Sequence, residues 1–245
     1  MNLQRLTALV NMELKKMIRQ PANLFMSLLF PAILTFTFVF AFGDPEFGMD
    51  INIMIPGLIA YACIFLIMTV AQSFSTERQL GLLKRLNTTP MTSSEFLGSR
   101  LLTNMIIAFV QVIIVFAIAV LLGFSPPSGL TSVFPAFPII VLFSLSSVGL
   151  GLITATISRT PEAATGISFV FILPQMFFGT FVPITTTTRQ IAMFIPSYYV
   201  VDALTLLFTG DWMNPRLLVD VSVIAIVSVV VVVLGILLFR IYGNK

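Results

Sequence analysis

Few side chains in this sequence could carry out chemistry. Its 245 residues include no histidine and a single cysteine, Cys63. Without histidine the chain cannot build a Ser-His-Asp triad or a His-ligated zinc or haem site. One cysteine makes neither an intrachain disulfide nor a multi-cysteine metal site, and none of the four lysines follows the glycine pattern of a phosphate-binding loop. We therefore expect no catalytic residue, no metal and no cofactor on this chain.

One charged segment, residues 76–90, has the composition of a docking surface. Its four leucines are interspersed with cations, and exposed leucines on a short charged helix cost free energy in water unless something covers them. Residues 76–79 and 92–95 each predict a helix start, because a Thr followed three residues later by Gln or Glu satisfies free backbone N–H groups. Docking of a partner is one interpretation of the segment, and a helix that rests on lipid headgroups is the other.

Residues 184–216 are too apolar for an ordinary loop, yet neither half is long enough to cross a bilayer. The segment predicts two short half-helices, broken near Pro196, that enter the outer leaflet and return. Such a re-entrant arrangement is tolerated only where protein or a water-filled cavity covers its backbone. Because Tyr198, Tyr199 and Trp212 suit a membrane interface, an amphipathic hairpin lying flat on the outer surface is the alternative.

The composition indicates that lipid surrounds most of the chain. Hydrophobic residues make up 58% of it and charged residues only 9%, with a mean hydropathy of +1.05. A soluble domain carries about 25% charged residues, because its surface must face water. We attribute the net charge of +3 to the orientation bias of membrane proteins and expect no nucleic-acid partner.

Charge-free runs predict an all-α membrane protein with six transmembrane helices in a single domain, 1–245. A span needs about 20 apolar residues, and the longest run is divided by the proline- and glycine-rich stretch 125–129. The predicted spans are 22–43, 51–74, 101–124, 138–158, 163–183 and 221–239.

The basic residues predict the orientation of these spans. Eleven of the thirteen fall in the N-terminal segment, the connection after the second span, the connection after the fourth span and the C-terminal tail. These four regions lie on one side of a six-span topology, so the positive-inside bias places both termini in the cytoplasm of a cell-membrane protein. Residues 1–20 are a basic amphipathic helix, which predicts a position in the membrane interface; a frayed cytosolic tail is the alternative.

Three stretches resemble ABC-2 type transporter permeases. Residues 77–90, Glu-Arg-Gln-Leu-Gly-Leu-Leu-Lys-Arg-Leu-Asn-Thr-Thr-Pro, resemble the cytoplasmic-loop signature of that family, with Leu82 where the family usually has Thr. Residues 196–204, Pro-Ser-Tyr-Tyr-Val-Val-Asp-Ala-Leu, resemble its second signature, before the last span. Residues 14–21, Leu-Lys-Lys-Met-Ile-Arg-Gln-Pro, look like the drug- and antibiotic-exporter branch.

The resemblance implies a non-catalytic membrane subunit of an ABC exporter. ATP and Mg would lie on two copies of a separate ATPase, and a second permease copy, as a homodimer, would complete the pathway. The segment 76–90 would hold the coupling helix, and 184–216 would cap the outer end. The residues that the resemblance assigns to ATPase coupling are Glu77, Arg78, Gly81, Leu82, Leu83, Arg85, Leu86 and Pro90. Those that it assigns to the outer gate are Pro196, Tyr198, Tyr199, Asp202 and Leu204.

The expected function is export of a hydrophobic or amphipathic substrate, such as a drug, lipid or glycolipid, driven by ATP on the partner. A stand-alone secondary transporter or channel is the alternative. It predicts paired ionisable residues within the spans and repeat symmetry between halves, and the sequence displays neither. An intramembrane enzyme would need a nucleophile with a base or a carboxylate pair at membrane depth, which we do not expect here.

Overall fold

The structure, a computed structural model, describes residues 3–19, 21–43, 50–81, 93–181 and 185–242. Within these ranges every regular element is a helix. In chain order the helices are α1 (Leu3–Ile18), α2 (Pro21–Phe42), α3 (Ile51–Ile64), α4 (Leu66–Gln79), α5 (Ser93–Leu121), α6 (Val133–Ile157), α7 (Pro161–Met176), α8 (Thr186–Ala192), α9 (Pro196–Thr209) and α10 (Pro215–Tyr242). A 3-10 turn (Leu130–Ser132) precedes α6, and a π-helical turn (Phe177–Phe181) follows α7.

Five stretches in the described ranges are long and apolar enough to cross a membrane. They are Ile51–Gln79, which joins α3 and α4 through a bend at Phe65, and Gly98–Leu121, Leu130–Ile157, Pro161–Gly179 and Pro215–Phe239. Over the first predicted span, α2 forms a helix of 22 residues, or about 33 Å. Within this helix, Leu28–Phe42 is an apolar stretch.

Most helices extend beyond the spans predicted from apolar runs, because a helix ends at its capping residues and not at the edge of an apolar run. The second span, predicted at 51–74, continues to Gln79, and α5 begins at Ser93 where the span was expected at 101. Residues 125–129 lie between helices, and α6 begins at Val133, before the span start predicted at 138, so that it contains Pro138. The fifth span ends as an α-helix at Met176, short of 183, and passes into the π-helical turn.

Helix α6 lies at the centre of the bundle and packs closely against α4 and α10. Two of its glycines allow this approach. A Cβ on Gly149 would lie 2.9 Å from the carbonyl carbon of Val231 in α10, and one on Gly151 would lie 2.7 Å from Cβ of Val70 in α4. Small residues of this kind let helix backbones come together in membranes, where packing replaces the hydrophobic effect.

The connections between helices gather at two ends of the bundle. At the first, which we call the Gly81 end, the Arg78 guanidinium donates to Ser158 O at 2.9 Å, and the rings of Phe74 and Phe239 are 4.9 Å apart. These contacts bring together the ends of α4, α6 and α10.

The opposite end, which we call the Gly123 end, joins the remaining connections. Asn52 Oδ1 accepts from Ser125 N at 3.3 Å, and Ser128 Oγ donates to Phe208 O at 2.8 Å. The two ends are joined by α5, whose 29 residues span about 43 Å. That length exceeds the hydrocarbon thickness of about 30 Å.

Two short helices, α8 and α9, lie where the half-helices are predicted, on either side of residues 193–195. The buried residues of α9 recur at helical spacing, and Val200, Ala203 and Leu204 belong to the main hydrophobic core. Ser197 Oγ also donates to Gln175 O of α7 at 2.7 Å. Since α9 packs against α3, α6, α7 and α10, it is a part of the bundle and not a hairpin lying flat on its surface.

Candidate functional site

Four ionisable side chains meet at the Gly81 end, and we call them the four-charge cluster: Glu13, Lys16, Glu77 and Arg100. Arg100 NH1 donates to Glu13 Oε2 at 2.6 Å, and Arg100 NH2 donates to Glu77 Oε1. The same Glu77 oxygen accepts from Lys16 Nζ at 2.7 Å. Two anions and two cations from α1, α4 and α5 therefore neutralise one another in one place.

Helix geometry brings these residues together. In α1, Leu6 and Glu13 are the buried positions, seven residues or two turns apart, and this face packs against α5. Arg100 lies in the third turn of α5, and Glu77 lies in the last turn of α4. Lys16, one of the cations of this basic amphipathic helix, directs its ammonium group to Glu77.

The cluster is buried as well as balanced. The side chains of Glu13, Glu77 and Arg100 are 5–8% exposed, and the guanidinium of Arg100 also lies 5.6 and 5.5 Å from the ring centroids of Phe74 and Phe96. Burial lowers the pKa of the Lys16 ammonium from its ordinary value, and Glu13 opposes this by raising it. Loss of one member would leave another charge buried and unpaired, which is strongly destabilising.

The last turn of α4 differs from the prediction that a helix starts at 76–79. Thr76 Oγ1 donates to Gln72 O within α4, and the helix ends at Gln79. Gly81 follows with φ +67°, a left-handed conformation that suits glycine at a helix C-terminus. The prediction is wrong because the apolar and polar pattern of α4 continues through Thr76. The hydroxyl group of this residue therefore bonds to the preceding helical turn and does not cap a helix start.

The predicted ATPase-coupling residues divide into two groups. Glu77 and Arg78 are on α4 and face inward: Glu77 is in the four-charge cluster, and Arg78 donates to Ser158 O at the C-terminus of α6. Gly81 lies directly after the helix. The others lie outside the described residues, namely Leu82, Leu83, Arg85, Leu86 and Pro90.

A cavity of about 470 Å³ adjoins the four-charge cluster. All four charged residues line it, as do apolar side chains from α2, α4, α5 and the bend between α3 and α4, including Phe30, Phe65, Met68 and Ile107. Gln72 and Thr103 add uncharged polar groups. Glu77 Oε2 and Arg100 Nε are buried and have no hydrogen-bond partner among the described residues. The cavity is therefore amphipathic, lined by both apolar and polar side chains.

The predicted outer-gate residues lie on α9. Pro196 is its first residue, Tyr198 and Tyr199 stack edge to face at 5.2 Å, and Tyr199 Oη donates to Met193 O at 2.8 Å. Leu204 is fully buried in the main core and forms no surface. Asp202 is half-buried and interacts with an ionisable group on another helix.

That other group is Asp220 in the second turn of α10, which interacts with the carboxyl group of Asp202. Asp220 is 4% exposed, and its Oδ2 lacks a hydrogen-bond partner among the described residues. Paired ionisable residues were not expected within the predicted spans, and Asp220 lies directly before the last of these, 221–239, although it is inside α10. Pro215 carried the missing signal, because a proline suits the first position of a helix and so places Asp220 inside α10.

Glu13 and Arg100 were missed for related reasons. Glu13 is the one acid among the basic and apolar residues of α1. The helix start predicted at 92–95 already places Arg100 inside α5, yet its sequence neighbours alone do not show which carboxylates it meets. The described residues contain no group of three or more Cys, Asp or Glu side chains that could hold a metal ion.

The family model of the ABC-2 type transporters matches residues 4–209. Residues in this chain are also 29% identical, over 130 positions, to a protein of Escherichia coli strain K12 named probable multidrug ABC transporter permease YbhR. That match covers 53% of this chain and 35% of the relative.

A second relative is the daunorubicin resistance ABC transporter permease protein DrrB1 of Streptomyces coeruleorubidus, 24% identical over 152 residues. This match covers 62% of the chain and 53% of the relative, so the chain aligns with less than two thirds of either protein. With the five apolar stretches, the family match makes this chain a multi-pass membrane protein.

Proposed function

Because the chain belongs to the ABC-2 type transporter family, we propose that it is the membrane-spanning, non-catalytic subunit of an ABC exporter. It moves a hydrophobic or amphipathic substrate with ATP and Mg held by a separate ATPase. Both relatives are named as ABC transporter permeases, one for multidrug transport and one for daunorubicin resistance. These names support a drug-like substrate.

The observation that carries the proposal is the anchoring of α4 at the Gly81 end. Glu77 is bonded to α1 through Lys16 and to α5 through Arg100, and Arg78 is bonded to the end of α6. A force applied to the chain after Gly81 would therefore act on four helices together. This is the arrangement that a coupling segment requires, since ATP-driven movement of the partner must reach the whole bundle.

The coupling residues thus have two roles in the proposal. Glu77 and Arg78 transmit movement from inside the bundle, whereas Leu82, Leu83, Arg85, Leu86 and Pro90 contact the ATPase. Burial of leucine side chains at that contact stabilises it by about 25 cal/mol for each Å² removed from water.

The amphipathic cavity supports the proposed class of substrate. Its apolar side chains, among them Phe30, Phe65 and Met68, suit a hydrophobic body, and flexible methionine adapts to varied shapes. Its polar side chains, among them Gln72 and Thr103, suit a polar head group. A cavity of about 470 Å³ lies within the range of small-molecule sites.

The proposed topology has six membrane-spanning helices, α2 being the first, with both termini in the cytoplasm of the cell membrane. The Gly81 end then faces the cytoplasm and α8–α9 form the outer re-entrant gate, in which Pro196, Tyr198, Tyr199, Asp202 and Leu204 hold the closed form. Two copies of this chain with two ATPase subunits complete the transporter.

The test is purification of the tagged chain from its own membranes, followed by reconstitution of the complex in proteoliposomes. We expect an ABC ATPase to be recovered with the chain, and we expect at least one member of a panel of drugs, lipids and glycolipids to stimulate ATP hydrolysis. Recovery of the chain alone, together with substrate movement driven by an ion gradient, would support the stand-alone secondary transporter and contradict the proposal.

A further inference from the structure

The Asp202–Asp220 pair lies outside the coupling arrangement and has unusual surroundings. Asp220 is more than nine-tenths buried, and its Oδ2 accepts no hydrogen bond from a described residue. It lies near the start of α10, which packs against α6 and α9. On the same two helices, Val200 and Ala203 of α9 and Ile224 of α10 belong to the main hydrophobic core.

The ionisable groups around Asp220 do not balance its charge. Asp202 and Tyr199 act on it from α9, and Arg216 acts from one turn earlier in α10. Helix α6 contains no ionisable residue. The phenol of Tyr199 already donates to Met193 O, and Arg216 is exposed to solvent. Two carboxylates against one exposed cation leave an uncompensated negative charge in an apolar setting.

Two ionised carboxylates close together in apolar surroundings are unfavourable for two reasons. Burial penalises each charge, and the like charges repel each other. A proton removes one charge and requires only two oxygen atoms, one to carry it and one to accept the hydrogen bond. A divalent metal ion would need more oxygen ligands than this pair supplies, and no third acidic side chain joins it among the described residues.

We propose that Asp202 and Asp220 form a proton-binding site, in which the two carboxyl groups share one proton at neutral pH. The O–H of one carboxyl group donates to an oxygen of the other, so that α9 is tied to α10. Release of the proton to water leaves two adjacent negative charges, and their repulsion weakens the α9–α10 contact. This site does not depend on the proposed transport function.

The experiment is infrared spectroscopy of the purified chain in lipid nanodiscs, with pH titration of the C=O band of a protonated carboxyl group. We expect the wild-type protein to retain one such band at pH 7. Asp220→Asn should abolish it, and Asp220→Glu should restore it. Asp202→Asn should shift the titration midpoint to lower pH by about one unit or more, since it removes the neighbouring negative charge.

Asp211→Asn is the matched control, because Asp211 is exposed and its Oδ2 accepts from Asn214 at 2.7 Å. It should leave the titration unchanged. Absence of the band between pH 6 and 8 in the wild type, at any salt composition, would overturn the proposal. A band that emerges only when Na⁺ and K⁺ are withdrawn would assign the site to an alkali cation and would equally overturn it.

Discussion

The two buried groups of ionisable side chains differ in their charge balance. The four-charge cluster at the Gly81 end combines two carboxylates with two cations, and its three ion pairs link α1, α4 and α5. The Asp202–Asp220 pair has two carboxylates and only the exposed Arg216 to oppose them. Glu77 lies in the last turn of α4 and Asp220 in the second turn of α10, so each group includes a residue near a helix end.

This difference in charge balance determines what each group can do. A neutral, mutually bonded cluster needs nothing from outside and keeps three helices in a fixed arrangement. Two neighbouring carboxylates must bind a proton or another cation to remain buried. Their packing therefore depends on the cations that the surroundings supply. We therefore interpret the four-charge cluster as a rigid link between three helices and the Asp202–Asp220 pair as a site that binds and releases a proton.

The largest loss of stability is expected for Arg100→Met in the four-charge cluster. The change leaves Glu13 and Glu77 buried with only the partly exposed Lys16 nearby, and breaking a buried ion pair costs about 3–5 kcal/mol. This loss is measured as a decrease in the free energy of unfolding by SDS in mixed micelles. Arg159→Met is the control, because Arg159 is exposed, and equal losses in the two variants would contradict a structural role for the cluster.

A smaller difference in the free energy of unfolding is expected between two carboxyl-to-amide substitutions, one in each group. Glu77→Gln removes an anion from a balanced cluster and should cost about 1–3 kcal/mol. Asp220→Asn imitates a protonated carboxyl group and should leave the free energy of unfolding at pH 7 unchanged or higher. The same SDS titration compares them. If Asp220→Asn were as destabilising as Glu77→Gln, Asp220 would be an ionised partner in a pair, and the distinction between the two groups would fail.

Much of the helical architecture was predictable from the sequence. Apolar runs locate the five membrane-crossing stretches, because a helix in lipid must satisfy its own backbone. The apolar character of 184–216 predicted short helices, and α8 and α9 lie there. Helix boundaries were harder to predict, as Gln79 and Pro138 illustrate, because capping residues and packing determine them and hydropathy does not.

The charged contacts were not predictable to the same degree. Glu13 and Arg100 are 87 residues apart, and their ion pair depends on how α1 packs against α5. Asp202 and Asp220 come from successive helices, yet their approach depends on the turn at Gly210, where φ is +87°. Local patterns identify which residues are charged, whereas only the three-dimensional packing identifies their partners.

The central claim is that the chain after Gly81 couples this bundle to a separate ATPase, and two matched substitutions test it. Gly81 and Gly123 both have positive φ with open space around the missing Cβ, and the N–H of each donates to a carbonyl three residues earlier. Proline cannot adopt a positive φ or donate this bond, so Gly81→Pro and Gly123→Pro disturb equivalent turns at opposite ends of the bundle.

The deciding measurement is the amount of ATPase recovered per molecule of tagged chain from membranes in which both variants insert. The account predicts that Gly81→Pro loses the ATPase while Gly123→Pro retains it at the wild-type level. Equal recovery with the two variants would contradict it.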